Sequence, residues 1–175
     1  MRSKSAWRRA MRPWRFTAGA ALALAASNVV AQTVSCTISA TPMAFGSYDP
    51  SSPTQMAPAT STIAAQCSVP PGSGNVTGFT MSVSLSTGSS GSYAARRMTS
   101  TPAMDTVQYN IFTSATRTSV WGDGTGGTTT VPVTLPRLTP GQSGAASAVA
   151  YGFVPPLQDV ASAEYADTIA VIANW

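Results

Sequence analysis

From Phe79 to Ser86 every odd position is apolar and every even position carries a hydroxyl: Phe79-Thr80-Met81-Ser82-Val83-Ser84-Leu85-Ser86. A period of two over eight residues specifies a strand with one buried and one wet face. The same alternation sets Val34, Cys36 and Ile38 on one face, and Ile63, Ala65 and Cys67 on another. It recurs at Val107-Tyr109-Ile111, Val131-Val133-Leu135, Val149-Tyr151-Phe153 and Ile169-Val171-Ala173-Trp175. Pro132 cannot donate to a ladder, so its strand is expected at an edge or a bulge. Turn-rich pieces separate the strands: 48–58, 70–78, 86–92, 122–128 and 139–145. No segment beyond the N-terminal leader carries a helical stripe. About seven short strands with such punctuation predict an all-β fold, a β-sandwich.

The N-terminus follows a different rule. Arg2, Lys4, Arg8, Arg9, Arg12 and Arg15 precede an apolar run from Phe16 to Val30, which ends in the small-residue exit Val29-Val30-Ala31. This is the pattern of a secretory signal, and the run is too short to span a bilayer. The expected organisation is therefore a signal peptide at 1–31 and one domain at 32–175. Removing the leader inverts the charge. The whole chain is +4, whereas residues 32–175 carry four arginines against six acids, a formal −2. The basic character belongs to the leader and gives no support for nucleic-acid binding.

Cys36 and Cys67 both lie in the exported part, and an even pair in an oxidising compartment predicts a disulfide between two strands. With no His in the chain and no C-x-x-C spacing, a zinc set or a catalytic thiol is a poor alternative. The lack of His also rules out Ser-His-Asp and Cys-His chemistry. Asp159, Glu164 and Asp167 could in principle form a carboxylate pair for glycoside hydrolysis, but Glu164-Tyr165-Ala166-Asp167 reads better as a turn that positions the last strand. Gly122-Asp123-Gly124-Thr125-Gly126-Gly127 lacks both the Lys-Ser/Thr ending and the following helix of a phosphate loop, and is expected to be a flexible connection. Trp121 and Trp175 are expected in core or strand-end packing, with ligand stacking as the rarer use.

The ordered motifs resemble the spore coat protein U domain family, which includes subunits of archaic chaperone–usher pili. They are Cys36, Phe45-Gly46-Ser47-Tyr48-Asp49-Pro50, Cys67, Arg97-Met98, Tyr109-Asn110-Ile111-Phe112, Val120-Trp121-Gly122-Asp123-Gly124, Tyr151-Gly152, Tyr165-Ala166-Asp167-Thr168 and the alternating last strand to Trp175. Ala163 stands where many relatives have Gly, which implies a local difference in that turn. The resemblance implies an immunoglobulin-like β-sandwich lacking its final strand and completed by a donor strand. Ile169, Val171, Ala173 and Trp175 would border the chaperone and donor-strand groove. The implied partners are a periplasmic chaperone, an outer-membrane usher and neighbouring subunits; no cofactor, metal or enzymatic activity is implied.

The function expected from this resemblance is a structural subunit of a surface pilus or fimbria, supporting adhesion or biofilm formation. It would pass through the periplasm to the cell surface. An exported carbohydrate- or surface-binding sandwich, serving as a tip or minor subunit, is the alternative. The cleavage point bears on the choice. Cleavage after Ala31 leaves Gln32 to Ser35 ahead of Cys36, too few residues for a donor strand. Cleavage after Ala26 leaves nine, with Val29, Val30 and Val34 as anchors.

Overall fold

In a computed structural model of the chain, residues 34–54, 58–101 and 104–175 are described. The leader expected at 1–31 lies outside them. The described residues belong to one compact unit, Gln32–Trp175. Its described residues form nine strands: β1 (Ser35–Ala40), β2 (Ala59–Ser68), β3 (Thr80–Leu85), β4 (Arg96–Ser100), β5 (Thr106–Phe112), β6 (Val131–Thr134), β7 (Ser143–Phe153), β8 (Tyr165–Ala166) and β9 (Val171–Asn174). A 3₁₀ turn at Gly88–Ser90 is the only helical piece among the described residues.

All named strand pairs are antiparallel. One sheet runs β1-β2-β7-β5-β4-β8 and the other β6-β3-β9. The alternation in β3 is realised as Met81 and Val83 buried between exposed Thr80 and Ser82. β2 behaves in the same way, with Ile63, Ala65 and Cys67 inward. The two inner faces meet in one core that includes Ile63, Met81, Val83, Leu85, Tyr109, Ile111 and Trp121. Burying these alternate residues is the main stabilising term, at roughly 1.5–3 kcal/mol per large apolar side chain.

β1 and β2 pair in register with Cys36 opposite Cys67, their Cα atoms 4.1 Å apart, and the two are joined by a disulfide. Side chains of a non-hydrogen-bonded antiparallel pair come close at about this separation. Pro132 sits in β6, an edge strand whose one ladder partner among the described strands is β3. This matches the expectation drawn from its missing N–H.

Three elements differ from the sequence expectation. β4 lies in a segment without clean alternation, because its inward positions are Arg96, Met98 and Ser100. β7 begins at Ser143, inside the expected turn 139–145. Its inner row of Gly144, Ala146, Ala148, Ala150 and Gly152 is too small to read as apolar alternation, yet it provides the space that other side chains fill. A Cβ at Gly144 would lie 2.5 Å from a Leu138 methyl, and one at Gly152 would overlap the Met43 sulfur and the Phe45 ring. Finally, Tyr165–Ala166 is a short strand on β4, not a turn.

Arg96 is fully buried, unlike its exposed neighbour Arg97 in the motif. Its guanidinium donates to Ser86 O through two nitrogens (3.1 and 2.8 Å), to Trp121 O (2.7 Å) and to Asn110 Oδ1 (2.8 Å), all neutral oxygens. Tyr93 stacks against it at 5.2 Å. Burial lowers the Arg96 pKa, and the nearby Tyr109, Tyr93 and Asp167 oppose that shift. The hydrogen bonds tie β4 to the end of β3 and to the Trp121 segment, so this one side chain links the two sheets. Trp121 is also fully buried, and its indole N–H donates to Val83 O at 2.9 Å.

Candidate functional site

Both outer strands of the three-stranded sheet pair with β3, but only one is sealed. On the β9 side, Val171 and Ala173 face inward and remain half-buried, as does Ile169 just ahead of the strand. β9 has β3 as its one ladder partner among the described strands. β1 approaches it from the other sheet. The inward side chains of β1, Cys36 and Ile38, are likewise half-buried. Two edge strands, one from each sheet, thus border an apolar gap.

At one end the gap deepens into a cleft of about 1060 Å³. Its walls are the strap from Ala40 to Pro50 and the segment from Val160 to Val171; core residues such as Ile63, Leu85, Met98 and Ile111 form its floor. The strap is fixed at both ends. Next to β1, Thr41 N–H donates to Thr62 O (3.0 Å) and its Oγ1 accepts from Thr62 N–H (2.8 Å). Further on, Phe45 meets Tyr109 edge-on at 5.5 Å, and Tyr48 donates its hydroxyl to Pro155 O while accepting from Gln158 N–H. Gln158 in turn imitates a strand: its amide accepts from Gln108 N–H and donates to Gln108 O, satisfying β5 just past the end of its pairing with β7.

Two carboxylates hold the opposite wall. Asp167 accepts the Tyr109 hydroxyl (2.7 Å) and the N–H groups of Ser89 (2.9 Å) and Thr168 (2.8 Å). Burial first, and then this bond to Asp167, push the Tyr109 pKa well above its ordinary value, so its hydroxyl stays a donor. Gly88 makes room for the arrangement, since a Cβ there would strike the Asp167 carboxylate and lie 2.9 Å from Ile169 Cδ1. Asp105 accepts from Ala161 N–H (2.8 Å) and Thr106 N–H (2.8 Å), and the Tyr165 hydroxyl lies 3.0 Å away. These contacts, led by the Ala161 N–H, lower the Asp105 pKa. The carboxylates of Asp167 and Asp105 are thus structural ties that place the approach to β9. Among the described residues no three His, Cys, Asp or Glu side chains gather as a metal site.

Of the four groove residues named from the sequence, Ile169 and Val171 line the cleft. Ala173 continues the inward row. Trp175 is 59% exposed and packs edge-on against Phe79 at 6.3 Å, at the far end of the strand. Trp121 belongs to the core. The 122–128 segment is a self-bonded turn: Asp123 accepts from Thr125 N–H and Oγ1, and Thr128 Oγ1 donates to Thr125 O. Sequence reasoning missed the strap residue Met43 and the ties made by Arg96 and Asp105. Arg96 lies two residues before Met98 and hence on the same face of a strand, the signal that could have exposed its burial.

The arrangement can bind an extended chain. It offers an unpaired strand edge for backbone hydrogen bonds and an inward apolar row for alternate side chains.

The fold is similar to a chain of the CsuC–CsuE chaperone–tip adhesion subunit pre-assembly complex from the archaic chaperone–usher Csu pili of Acinetobacter baumannii. The match has a TM-score of 0.54 and 22% identity, and covers 82% of this chain. The chain spans 40% of the length of that relative. No curated protein matches the sequence. The model of the Spore Coat Protein U domain matches residues 20–172. With that match over most of its length, on an immunoglobulin-like sandwich of pilin type, the chain belongs to the Spore Coat Protein U domain family, whose members are structural and not enzymatic.

Proposed function

We propose that the chain is an exported subunit of a surface fibre, assembled by strand complementation and serving attachment or biofilm formation. Residues 1–31 hold the export signal and residues 32–175 the fibre domain. In the periplasm a chaperone strand occupies the gap beside β9, and after transfer at an outer-membrane usher a strand from a neighbouring subunit replaces it. The groove is bordered by Ile169, Val171, Ala173 and Trp175. With cleavage after Ala26, the residues ahead of β1, from Ser27 on, supply the strand that this subunit hands on.

One observation carries this reading. The edge of β9 has no strand partner among the described residues, and its inward apolar row is half-buried, whereas on the β6 flank of the same sheet the inward Val133, and Leu135 and Leu138 beyond it, are buried. An exposed edge with an apolar face invites association unless it is covered. The resemblance of the fold to a chain from a chaperone–subunit complex supports a strand in trans as the cover.

The test is to fuse a donor segment, residues 27–35 of this sequence, after Trp175 through a short flexible linker. The fused protein is expected to be monomeric, with a thermal midpoint raised by 10 °C or more over the unfused mature chain, on the order of what a few kcal/mol gives for a domain of this size. Equal midpoints and equal monomer content in both proteins would sink the proposal.

A further inference from the structure

We propose that the Cys36–Cys67 disulfide is a mechanical lock at the point where the chain enters the sandwich. It would route a pull from the preceding segment into β2 and so keep it off the edge strand β1. The direction of load rests on the fibre reading above, in which the residues ahead of β1 are held in a neighbouring subunit.

The argument starts from the placement of β1. Among the described strands it is outermost in the six-stranded sheet, and its one ladder partner there is β2. Its inward face is half-buried, so packing holds it weakly. Pulled from Val34, such a strand loads the Ser35–Ser68 end of its ladder first and can come away one residue at a time. β2 is better held. It has ten residues, pairs with β1 on one edge and with β7 along its full length on the other, and buries Ile63, Ala65 and Cys67.

The disulfide joins these two strands at the second residue of β1. A load arriving at Ser35 therefore crosses to Cys67 through a covalent bond after one residue of ladder. The far end of β1 is anchored separately by the two bonds between Thr41 and Thr62. With both anchors in place β1 cannot leave β2 in steps, and the lip it gives to the gap keeps its register. A β1 strand this short, with only Cys36 and Ile38 on its half-buried inward side, would otherwise specify that register poorly.

The test is single-molecule pulling on the mature wild-type chain, with one handle ahead of Val34 and the other at Trp175. It is run first oxidised and then after thiol reduction in place. The reduced chain is expected to show an extra low-force step before the main rupture. Its length should be about 24 Å, the seven residues from Ser35 to Thr41 at about 3.4 Å each. The oxidised chain is expected to lack it. The same step in both states, or in neither, overturns the proposal. Loss of the main rupture on reduction also overturns it, because the bond would then hold the whole domain and not its entry. A Cys36→Ala/Cys67→Ala variant that keeps the main rupture should reproduce the reduced trace. These readouts use one chain without assembly, so they stand apart from the donor-fusion test of the fibre reading.

Discussion

The two outer strands of the three-stranded sheet are made from similar residues and share the same neighbour, yet they end in opposite states. On the β6 side, Val133 faces inward opposite Met81 and is 4% exposed. Leu135 and Leu138 continue that seal, and Leu138 fills the space left by Gly144 of β7. Pro132 blunts the outer edge. On the β9 side, Val171 faces inward opposite Leu85 but stays half-buried, and the edge carries no proline. The two flanks differ in whether a neighbouring segment covers them. After β6 the chain folds back over the core, through the Val76–Leu138 bridge. Nothing among the described residues does the same for β9. Among the described residues the core is finished on one flank and left open on the other, and the proposed strand in trans would complete it.

The strongest way to test this asymmetry is to break the sealed flank. Trp121→Ala removes a fully buried indole and its hydrogen bond to the Val83 carbonyl. A cost of about 3–5 kcal/mol is expected, read as a lowered urea midpoint. A cost below about 1 kcal/mol would mean that the β6 flank does not hold the fold.

A matched pair of truncations tests the comparison itself. Val133→Ala and Val171→Ala make the same chemical change on opposite sides of β3. In the unfilled chain, Val133→Ala should cost about 2 kcal/mol and Val171→Ala less than about 1 kcal/mol, because half-buried atoms have less transfer energy to lose. With a donor strand fused after Trp175, the Val171 value should rise toward the Val133 value. Equal costs in the unfilled chain would remove the distinction between the flanks. A charged replacement, Val171→Asp, should leave the unfilled fold largely intact but reduce capture of a donor peptide at least tenfold.

Gly152→Ala probes the strap at the deep end of the gap. The new methyl would collide with Met43 and Phe45, so the strap must lift. A destabilisation of about 1–2 kcal/mol is expected, as for modest overpacking, together with a loss of hydrogen-exchange protection at Thr62 and Gln158. Loss of protection confined to β6 would show that the strap is anchored differently.

How far the sequence reveals each element depends on how that element signals itself. Alternation locates β3, β5 and the inward rows of β1, β2 and β9, because a two-residue period is imposed by the backbone and survives any packing. The disulfide is legible for the same reason, since both cysteines lie on apolar rows. β4 is not legible, because a buried Arg96 and Ser100 interrupt the apolar pattern and are tolerated only through partners from outside the strand. The inner row of β7 is hidden because Gly and Ala carry little hydrophobic signal of their own; their role is set by Leu138, Met43 and Phe45. The groove residues can be placed on one face from sequence, but their half-burial depends on which segments cover that face, which no periodicity encodes.

The smallest expected effect concerns acid. Asp105 ties the wall of the gap by accepting from Ala161 and Thr106 N–H groups beside the Tyr165 hydroxyl, and its folded pKa is therefore lowered from 3.8. A group with a depressed folded pKa contributes stability that is fully present above its unfolded pKa and is lost as pH falls through the folded value. The wild-type chain should thus lose this contribution progressively below about pH 4, near the ordinary aspartate range. Asp105→Asn keeps the size of the side chain but cannot titrate. It should be somewhat less stable at neutral pH and show a flatter decline on acidification, so that the two urea midpoints converge toward low pH. The sealed flank supplies the control. Asp123, also lowered by its hydrogen bonds to Thr125, serves the 122–128 turn and not the gap. Asp123→Asn should flatten the acid profile without changing the rate at which the deep end of the gap exchanges its amides. If Asp105→Asn likewise leaves exchange at Ala161 unchanged, then the wall beside β9 is not held by that carboxylate. The openness of this flank would then owe nothing to how its approach segment is tied.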